Sequence, residues 1–357
     1  MKTVLFLGAG FSSAWGLPVM QEFFQHAKNS EYLGDNDKDF LRKLQRKARQ
    51  GASMLQIEND NLEEVLSFSL ASENFNVGYP SQDNNEYNNL CRILQKVYRK
   101  AGFKEYDIRD EISAFHVSPL LQKLTTLLGI GQEKLSPNDL SIITTNYDVM
   151  IEFYLARLGS CCHLPIEWHA VDDNSQCDSH LYSPKKSGPL LCKLHGSLNW
   201  FSHTNDETNL QIESRIIKGR FDHGDDNIDV AIRSAYYPKV SDPDYKTNSV
   251  PLIIPPTLFK IQTDVRFREI WNAAGEVLRE ADKLVFVGFS FPESDTYIQY
   301  FLAANLYENV DLRPIAIVDP KADEIYERLK KGKFGSHFRD LLKPINRKWE
   351  DIGYSVI

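Results

Sequence analysis

MKTVLFLGAGFSSAWGLP, residues 1–18, carries the strongest structural signal in the chain. An apolar run from Val4 to Leu7 meets Gly8-Ala9-Gly10, and the residues that follow are able to start a helix. This order predicts a buried strand, a tight glycine turn and a helix N-terminus. Gly8 and Gly10 are expected to adopt positive φ and to let the backbone approach a ligand, while the amides of a first helical turn attract an anion. The stretch therefore predicts a nucleotide phosphate site.

The spacing of the glycines restricts the nucleotide chemistry. The fingerprint of hydride-transfer enzymes needs a third glycine where this chain has Ser13, and no clear second strand ends in an acidic residue about 20 residues later. The phosphate loop of nucleoside triphosphatases ends in Gly-Lys-Ser/Thr, but no lysine occurs between Lys2 and Lys28. A dehydrogenase and a standard ATPase or kinase are disfavoured, and a purely structural glycine turn stays open.

The composition is that of a packed globular protein. The chain has 357 residues, of which 42% are hydrophobic and 25% charged, enough for one large α/β domain with insertions or for two domains. Its formal net charge of −8 opposes binding to nucleic acid or to anionic lipid. No direct nucleic-acid or membrane binding is expected.

The cysteines and the N-terminus indicate the type of compartment. Five cysteines, an odd number without a Cys-x-x-Cys pair, argue against a disulfide framework and a structural zinc ribbon. The spacing of Cys161-Cys162-His163 and the nearby His169, Cys177 and His180 matches no usual ligand pattern, so no metal is expected. The first apolar run is too short for a signal peptide, and no window holds the ~18 apolar residues of a membrane span. A cytoplasmic protein is expected.

Four further strands are predicted, and each ends in polar residues or glycine. The apolar segments 140–145, 189–194, 283–287 and 312–318 precede Asn146-Tyr147-Asp148, His195-Gly196-Ser197, Gly288-Phe289-Ser290 and Asp319 respectively. Helical patterns separate these segments, so the fold class is α/β, a Rossmann-like doubly wound parallel sheet. Because such sheets bind ligands at the carboxyl ends of their strands, these residues are expected to meet in one crevice.

Two insertions are predicted to interrupt the sheet. Residues 31–136 show apolar residues at helical spacing and form a helical insertion. Residues 201–250 are polar and rich in turns, with a few short strands around 229–233. The Rossmann-like nucleotide-binding domain then comprises residues 1–30, 137–200 and 251–357.

Two of the polar residues also have structural interpretations. Asn146 could cap the helix that follows it. A histidine such as His195 is usually a satisfied structural residue, although its position at a strand end, before glycine and serine, also suits acid or base chemistry. The residue patterns leave both alternatives open.

Four motifs, GAGFSSAWGLP, TTNYD, KLHGSLNW and VGFSFPESD, occur in that order and together span most of the chain. They resemble the sirtuin family of NAD-consuming enzymes, specifically its bacterial zinc-free branch. The resemblance implies that Asn146 and Asp148 contact the nicotinamide side and the water or ribose, and that His195 is the general base. The residues implied to bind NAD are Gly8, Ala9, Gly10, Ser12, Thr145, Gly288, Ser290 and Asp319.

The chain departs from protein-deacylating sirtuins at three places. Val19-Met20-Gln21 stands where those enzymes have Asp-Phe-Arg, Thr145 stands where they have glutamine, and no cysteine lies between positions 193 and 288 to build a zinc ribbon. These departures argue against an acyl-lysine cleft, whereas the NAD site is still expected.

The resemblance implies an NAD hydrolase that releases nicotinamide and ADP-ribose, of the kind that depletes NAD in bacterial antiphage defence. Asn146 would orient water and His195 would accept a proton, which suits an oxocarbenium-like reaction whose leaving group is already neutral. Since a toxic activity requires control, a homo-oligomer or a separately encoded partner such as an ATPase is expected. The alternatives are a protein deacylase and a non-catalytic module that binds NAD or ADP-ribose. A nuclease is less well supported, because no carboxylate cluster of metal-ligand type is visible.

Overall fold

The structure is a computed structural model, and it describes most of the chain. The described residues are 2–30, 33–51, 60–74, 86–101, 119–128, 139–157, 160–170, 179–180, 182–183, 188–203, 206–212, 215–216, 250–254, 265–292, 295–309, 311–312, 315–332 and 334–352. The short strands predicted around 229–233 lie outside these residues.

A parallel sheet forms the centre of the molecule, as predicted, and it has six strands, one more than the sequence pattern indicates. The strands of the chain are β1 (Thr3–Leu7), β2 (Leu140–Thr144), β3 (His169–Ala170), β4 (Ser179–His180), β5 (Leu190–Lys193), β6 (Gly196–His203), β7 (Asp206–Ile212), β8 (Arg215–Ile216), β9 (Pro251–Ile253), β10 (Lys283–Val287), β11 (Ile315–Asp319) and β12 (Leu342–Asn346). The central sheet contains β1, β2, β5, β10, β11 and β12. Its inner strands are almost wholly buried, which explains why they read as continuous apolar runs in the sequence.

The strand order of this sheet is β12-β11-β10-β1-β2-β5. The chain builds outward from β1 to β2 and β5, then returns to the other side of β1 and adds β10, β11 and β12. This is the order of a doubly wound dinucleotide-binding sheet, and its switch point lies between β1 and β10. Leu7 pairs with Val287 on one side and Thr144 on the other, and Thr144 pairs with Lys193. The carboxyl ends of these four neighbouring strands are therefore level.

The helices are α1 (Ala9–Ser12), α2 (Phe23–Asn29), α3 (Asp35–Gly51), α4 (Leu62–Asn74), α5 (Glu86–Ala101), α6 (Pro119–Leu128), α7 (Met150–Arg157), α8 (Val265–Arg279), α9 (Thr296–Leu306), α10 (Ala322–Lys331) and α11 (Ser336–Leu341). Helices α3 to α6 come between β1 and β2, where the sequence pattern predicts a helical insertion. Leu90, Leu94 and Val97 of α5 are buried, as expected of an amphipathic stripe. No helix in the described part of the chain is long and apolar enough to cross a bilayer.

A smaller four-stranded sheet has the order β3-β7-β6-β9. Strand β6 begins directly after His195 and pairs antiparallel with β7 and β9. Its polar residues Ser197 and Asn199 are as buried as Leu198 and Trp200, because Ser197 donates a hydrogen bond to Asn199 and Asn199 donates one to Tyr182. A strand that buries polar residues in this way carries no clear alternation, and so the sequence pattern did not reveal it.

The first loop differs from its prediction in two respects. Helix α1 has only four residues and is followed by a 3-10 turn over Ser13–Trp15, which ends at Gly16 in the left-handed region. The expectation of positive φ at the loop glycines was wrong: Gly8 has φ −107°, and Gly10 is not among the residues with positive φ. The glycines serve another purpose there, which is a close approach between two loops.

Candidate functional site

The glycine loop after β1 lies directly against the loop after β10. A Cβ at Gly8 would fall 2.5 Å from the carbonyl oxygen of Gly288, and one at Gly10 would fall 2.8 Å from the Gly288 Cα. The amide of Gly8 donates to Val287 O and the amide of Gly10 donates to Gly288 O. Both amides are thus engaged within the protein, so a phosphate at this loop has to be bound by other groups. The glycines allow the two loops to meet at the switch point.

Asn146 connects the end of β2 to the glycine loop. Its Nδ2 donates to Gly8 O at 2.9 Å and to the Ser12 hydroxyl at 3.0 Å. The Ser12 hydroxyl in turn forms a hydrogen bond with the carboxylate of Asp148. Three of the predicted site residues, Ser12, Asn146 and Asp148, therefore form one connected hydrogen-bonded group, and all three are buried.

Asp148, rather than Asn146, satisfies the beginning of helix α7. Its Oδ1 accepts a hydrogen bond from the amide of Met150 at 3.0 Å. Burial raises the pKa of the Asp148 carboxyl, and the charge of Lys193 together with the hydrogen bonds from Met150 and Ser12 opposes this rise. The helix-capping interpretation of Asn146 was therefore wrong, because the adjacent acid performs that function.

His195 follows β5 and lies between two carboxylates. Its Nε2 is 3.1 Å from Asp295 Oδ2, and its Nδ1 is 4.0 Å from Glu63 Oε1. The ring also packs against Tyr147, with ring centroids 6.1 Å apart. Asp295 precedes helix α9, which flanks the central sheet, and Glu63 belongs to helix α4 of the helical insertion. The imidazole therefore lies between these two parts of the fold.

Asn146 and His195 occupy equivalent positions on neighbouring strands. Each lies two residues beyond one member of the Thr144–Lys193 pair. The amide of Leu194 donates to Thr144 O, and the amide of Leu198 donates to Tyr147 O. These backbone bonds hold the two strand ends side by side, which is the arrangement that the sequence predicts for one crevice.

The hydroxyl of Tyr147 is buried and has no hydrogen-bond partner among the described residues. Burial raises the pKa of Tyr147 well above its usual value, and the charges of Glu63 and Asp295 add to the rise. The phenol therefore stays protonated and carries a proton that it can donate. A buried polar group without a partner is costly, and bound water or a ligand commonly satisfies it.

A buried ion pair joins the end of β5 to helix α7. Lys193, at the end of β5, lies 2.7 Å from Glu152 of α7, and both side chains are fully buried. The Lys193 ammonium also donates to the carbonyl oxygen of Asp148, while Tyr182 donates to Glu152 at 2.9 Å. This network ties the backbone at Asp148 to the residue two positions before His195.

The remaining predicted residues lie at or near the same edge of the sheet. Thr145 is buried, and its amide donates to Leu7 O at 3.3 Å. Ser290 is exposed, and its carbonyl accepts a hydrogen bond from Arg328. Asp319 ends β11, accepts a hydrogen bond from the amide of Lys321, and has a pKa raised by partial burial. Ala9 is half-buried at the start of α1.

The described residues contain no group of three or more histidine, cysteine or acidic side chains able to hold a metal ion. His163 instead contacts the carbonyl of Gly188 through Nδ1 at 2.9 Å. Cys177, one member of the cluster considered in the sequence, lies outside the described residues.

Sequence reasoning did not find Asp295, Glu63 or Tyr147 as parts of this site. Asp295 closes the VGFSFPESD motif, and its position before a predicted helix was visible, but that position alone indicates a cap. Glu63 resembles an ordinary acidic residue in a first helical turn. Their common partner, His195, is separated from both by about a hundred residues of chain or more, so no local pattern links them.

The fold and the site define the class of the protein, which is a Rossmann-like α/β protein with buried polar residues at the switch point of its sheet. The chain belongs to the SIR2-like family, since the model of the SIR2-like domain matches residues 140–338. Members of this family are NAD-dependent enzymes. The match runs from β2 into α11 and includes Asn146, His195 and Gly288, whereas the glycine loop lies before it. No curated protein matches the chain.

Proposed function

We propose that this SIR2-like protein is an NAD hydrolase, which releases nicotinamide and ADP-ribose. The observation that supports this most is the group of Asn146, Asp148 and His195 on neighbouring strand ends beside the switch point of a dinucleotide-binding sheet. NAD itself would lie across that switch point. The raised pKa of Tyr147 and its buried hydroxyl supply one further donor for a bound ligand.

The proposed reaction breaks the bond between the nicotinamide nitrogen and the ribose carbon, and a water oxygen bonds to that carbon. Nicotinamide takes the bonding electron pair and leaves as a neutral molecule, so no general acid is needed. One proton of the attacking water passes to His195. Because Nδ2 of Asn146 is engaged by Gly8 and Ser12, its Oδ1 is the atom that would accept a hydrogen bond from the water and aim it.

The proposed catalytic residues are buried, which is consistent with a hydrolase whose activity is regulated. Asn146, Asp148 and His195 are 6%, 4% and 1% exposed, so substrate reaches them only after the covering side chains move. Helix α4 contributes Glu63 to this cover. We include in the proposal that self-assembly or a separately encoded partner such as an ATPase opens the site, in a bacterial antiphage-defence setting where NAD is depleted.

The test is to incubate the purified protein with NAD and to quantify nicotinamide and ADP-ribose by chromatography, alone and with candidate activators. His195→Ala and Asn146→Ala are expected to reduce nicotinamide release by at least 10²-fold. Matched controls are His337→Ala and Asn36→Ala, since both side chains are exposed and lie on α11 and α3. Wild-type turnover in either site variant would contradict the assignment.

Folding is measured on the same samples by thermal unfolding. Asn146→Ala removes two buried hydrogen bonds, which costs about 1–3 kcal/mol of stability, so activity is compared at a temperature where every variant is folded. Adding an acyl-lysine peptide separates the alternatives. Peptide-dependent nicotinamide release would indicate a deacylase, and tight NAD binding without turnover in the presence of any activator would indicate a binding module.

A further inference from the structure

The two carboxylate oxygens of Asp295 have separate partners. Oδ1 accepts a hydrogen bond from the amide of Ile298 in the first turn of α9, at 3.3 Å. Oδ2 lies 3.1 Å from Nε2 of His195. The Asp295 side chain is 2% exposed and the imidazole is fully buried. One acid thus joins the N-terminus of a helix to the imidazole at the end of β5.

We propose that Asp295 is a positioning residue that keeps a proton on Nε2 of His195 and thereby makes Nδ1 the nitrogen that accepts a proton in the reaction. The inference deepens the proposed function, on which the use of Nδ1 rests. The assignment of the proton to Nε2 rests only on the geometry around the ring.

The distances around the imidazole favour this assignment. An ionised carboxylate is only a hydrogen-bond acceptor, so the ring nitrogen that faces it most closely is the one that keeps a proton. Nε2 lies 3.1 Å from Asp295 Oδ2, whereas Nδ1 lies 4.0 Å from Glu63 Oε1. Nε2 therefore has the closer carboxylate, although the contact lacks the full angular geometry of a hydrogen bond. When the doubly protonated ring loses a proton, it is the Nδ1 proton, held by the weaker contact, that leaves.

Other elements around the ring also contribute titratable groups. Helix α4 contributes Glu63, the segment after β2 contributes Tyr147, and α5 contributes Tyr87 and Tyr98, both of which help to raise the pKa of Tyr147. The pKa values of Tyr98 and Tyr147 are both raised by burial, so these phenols are neutral. The nearest cation on β5, Lys193, is held by Glu152. Of the carboxylates whose distances to the ring are given above, Asp295 is the nearer, and it lies on the Nε2 side.

A carboxylate behind a histidine has a known chemical consequence. It fixes the tautomer and orientation of the imidazole and stabilises the imidazolium that forms when the opposite nitrogen takes a proton. It does not take the proton itself. Asp295 also fixes the start of α9, so the orientation of the ring is coupled to a rigid element of the central domain rather than to the helical insertion.

The tautomer of His195 is measured directly by nitrogen NMR on protein labelled at histidine, in the absence of NAD. The two ring nitrogens have distinct shifts in each protonation state, and the His195 signals are identified by their loss in His195→Gln. In the wild-type protein we expect the neutral ring to carry its proton on Nε2. A proton on Nδ1, or a ring that shows no neutral form up to pH 9, would overturn the proposal.

Asp295→Asn gives the sharpest variant, because asparagine caps a helix as well as aspartate does. Its amide oxygen keeps the bond to the Ile298 amide, so its NH₂ group faces Nε2 and forces the proton onto Nδ1. We expect the tautomer to reverse, the melting temperature to stay near that of the wild type, and nicotinamide release to fall by about 10²–10⁴-fold. Asp295→Ser retains a capping oxygen without the carboxylate and is the second variant should asparagine disturb folding.

Two controls separate positioning from general structural effects. Glu63→Gln alters the charge on the Nδ1 side and is expected to leave the Nε2 proton in place. Asp340→Asn changes an exposed acid of α11 and is expected to leave both the tautomer and nicotinamide release unchanged.

The failure of this proposal is distinguishable from failure of the hydrolase assignment. If the wild-type protein cleaves NAD but the tautomer is the same with and without Asp295, the positioning role is wrong and the hydrolase stands. If the tautomer behaves as expected but no condition yields nicotinamide, the Asp295–His195 contact stands and the hydrolase assignment is wrong.

Discussion

At the scale of single residues, two opposed influences act on the pKa of the buried Asp148 carboxyl. Burial raises the pKa of its carboxyl, although Lys193, Met150 and Ser12 partly stabilise the charged form. The folded chain thus binds the Asp148 proton more tightly than the unfolded chain, in which the pKa is about 3.9. The contribution of this group to stability therefore falls as the pH rises from about 3.9 through the raised value, and the full penalty applies above it.

Asp148→Asn tests this account. Asparagine keeps an oxygen for the Met150 amide but never becomes charged. We expect a higher melting temperature than the wild type at pH 7, a difference that shrinks toward pH 4, and a loss of nicotinamide release of about 10²-fold. Thermal unfolding between pH 4 and pH 8 measures the first effect, with Asp340→Asn as the exposed control. An unchanged pH dependence in Asp148→Asn would show that this carboxyl carries no such penalty.

At the scale of elements, the loops after β1 and β10 act as one unit. The only glycine of this contact in the left-handed region is Gly288, with φ 60°, and a Cβ there would lie 2.2 Å from the amide nitrogen of Phe11 and 2.4 Å from the carbonyl carbon of Gly10. Backbone atoms cannot yield as a flexible side chain can. The two loops therefore fit together only while both are glycine at the point of contact.

Gly288→Ala is expected to lower the free energy of unfolding by about 2–4 kcal/mol, because it combines a strained φ with a backbone overlap. Urea unfolding of the purified variant gives the value. The control is Gly335→Ala, where an added Cβ meets nothing within 4 Å and φ is −66°, and a change under about 1 kcal/mol is expected. Equal effects of the two substitutions would contradict the proposed fit of the loops.

At the scale of the whole molecule, the end of the described chain closes over its beginning. Trp349, in the 3-10 turn Trp349–Asp351, donates from its indole Nε1 to Phe11 O at 3.1 Å across 338 residues of sequence. Its ring packs against Phe11 and Trp15, with centroids 5.1 and 5.4 Å apart. The loop that carries Ser12 is thus held by contacts from the other end of the chain.

Trp349→Ala is expected to cost about 3–5 kcal/mol of stability, the range for truncating a buried large aromatic side chain. Nicotinamide release should fall as well. The loop that forms hydrogen bonds with Asn146 loses its packing against Trp349, so Asn146 is held less firmly. Tyr307→Ala is the matched control, because Tyr307 is 73% exposed and its removal is expected to change stability by less than about 0.5 kcal/mol. Urea unfolding and chromatography provide both readouts, and a wild-type stability for Trp349→Ala would refute the contact.

Much of the central sheet was predictable from local signals. β1, β2, β5 and β10 are short apolar runs ended by glycine or polar residues, and α8 and α9 follow their helical patterns closely. β12 was missed, since Leu342–Asn346 contains lysine, proline and asparagine and lies at the edge of the sheet, where burial is incomplete. A strand that half faces solvent leaves a weak pattern.

The sequence by itself determined the fold class, the family and the chemical character of the strand ends, because each depends on residues that are near one another in the chain. Only the tertiary structure decided which groups meet. Asp295 and Glu63 reach His195 from distant elements, Asp148 rather than Asn146 caps α7, and Gly8 serves contact with Gly288 rather than a positive φ. Long-range contacts follow from the order of strands in the sheet, and no local periodicity encodes that order.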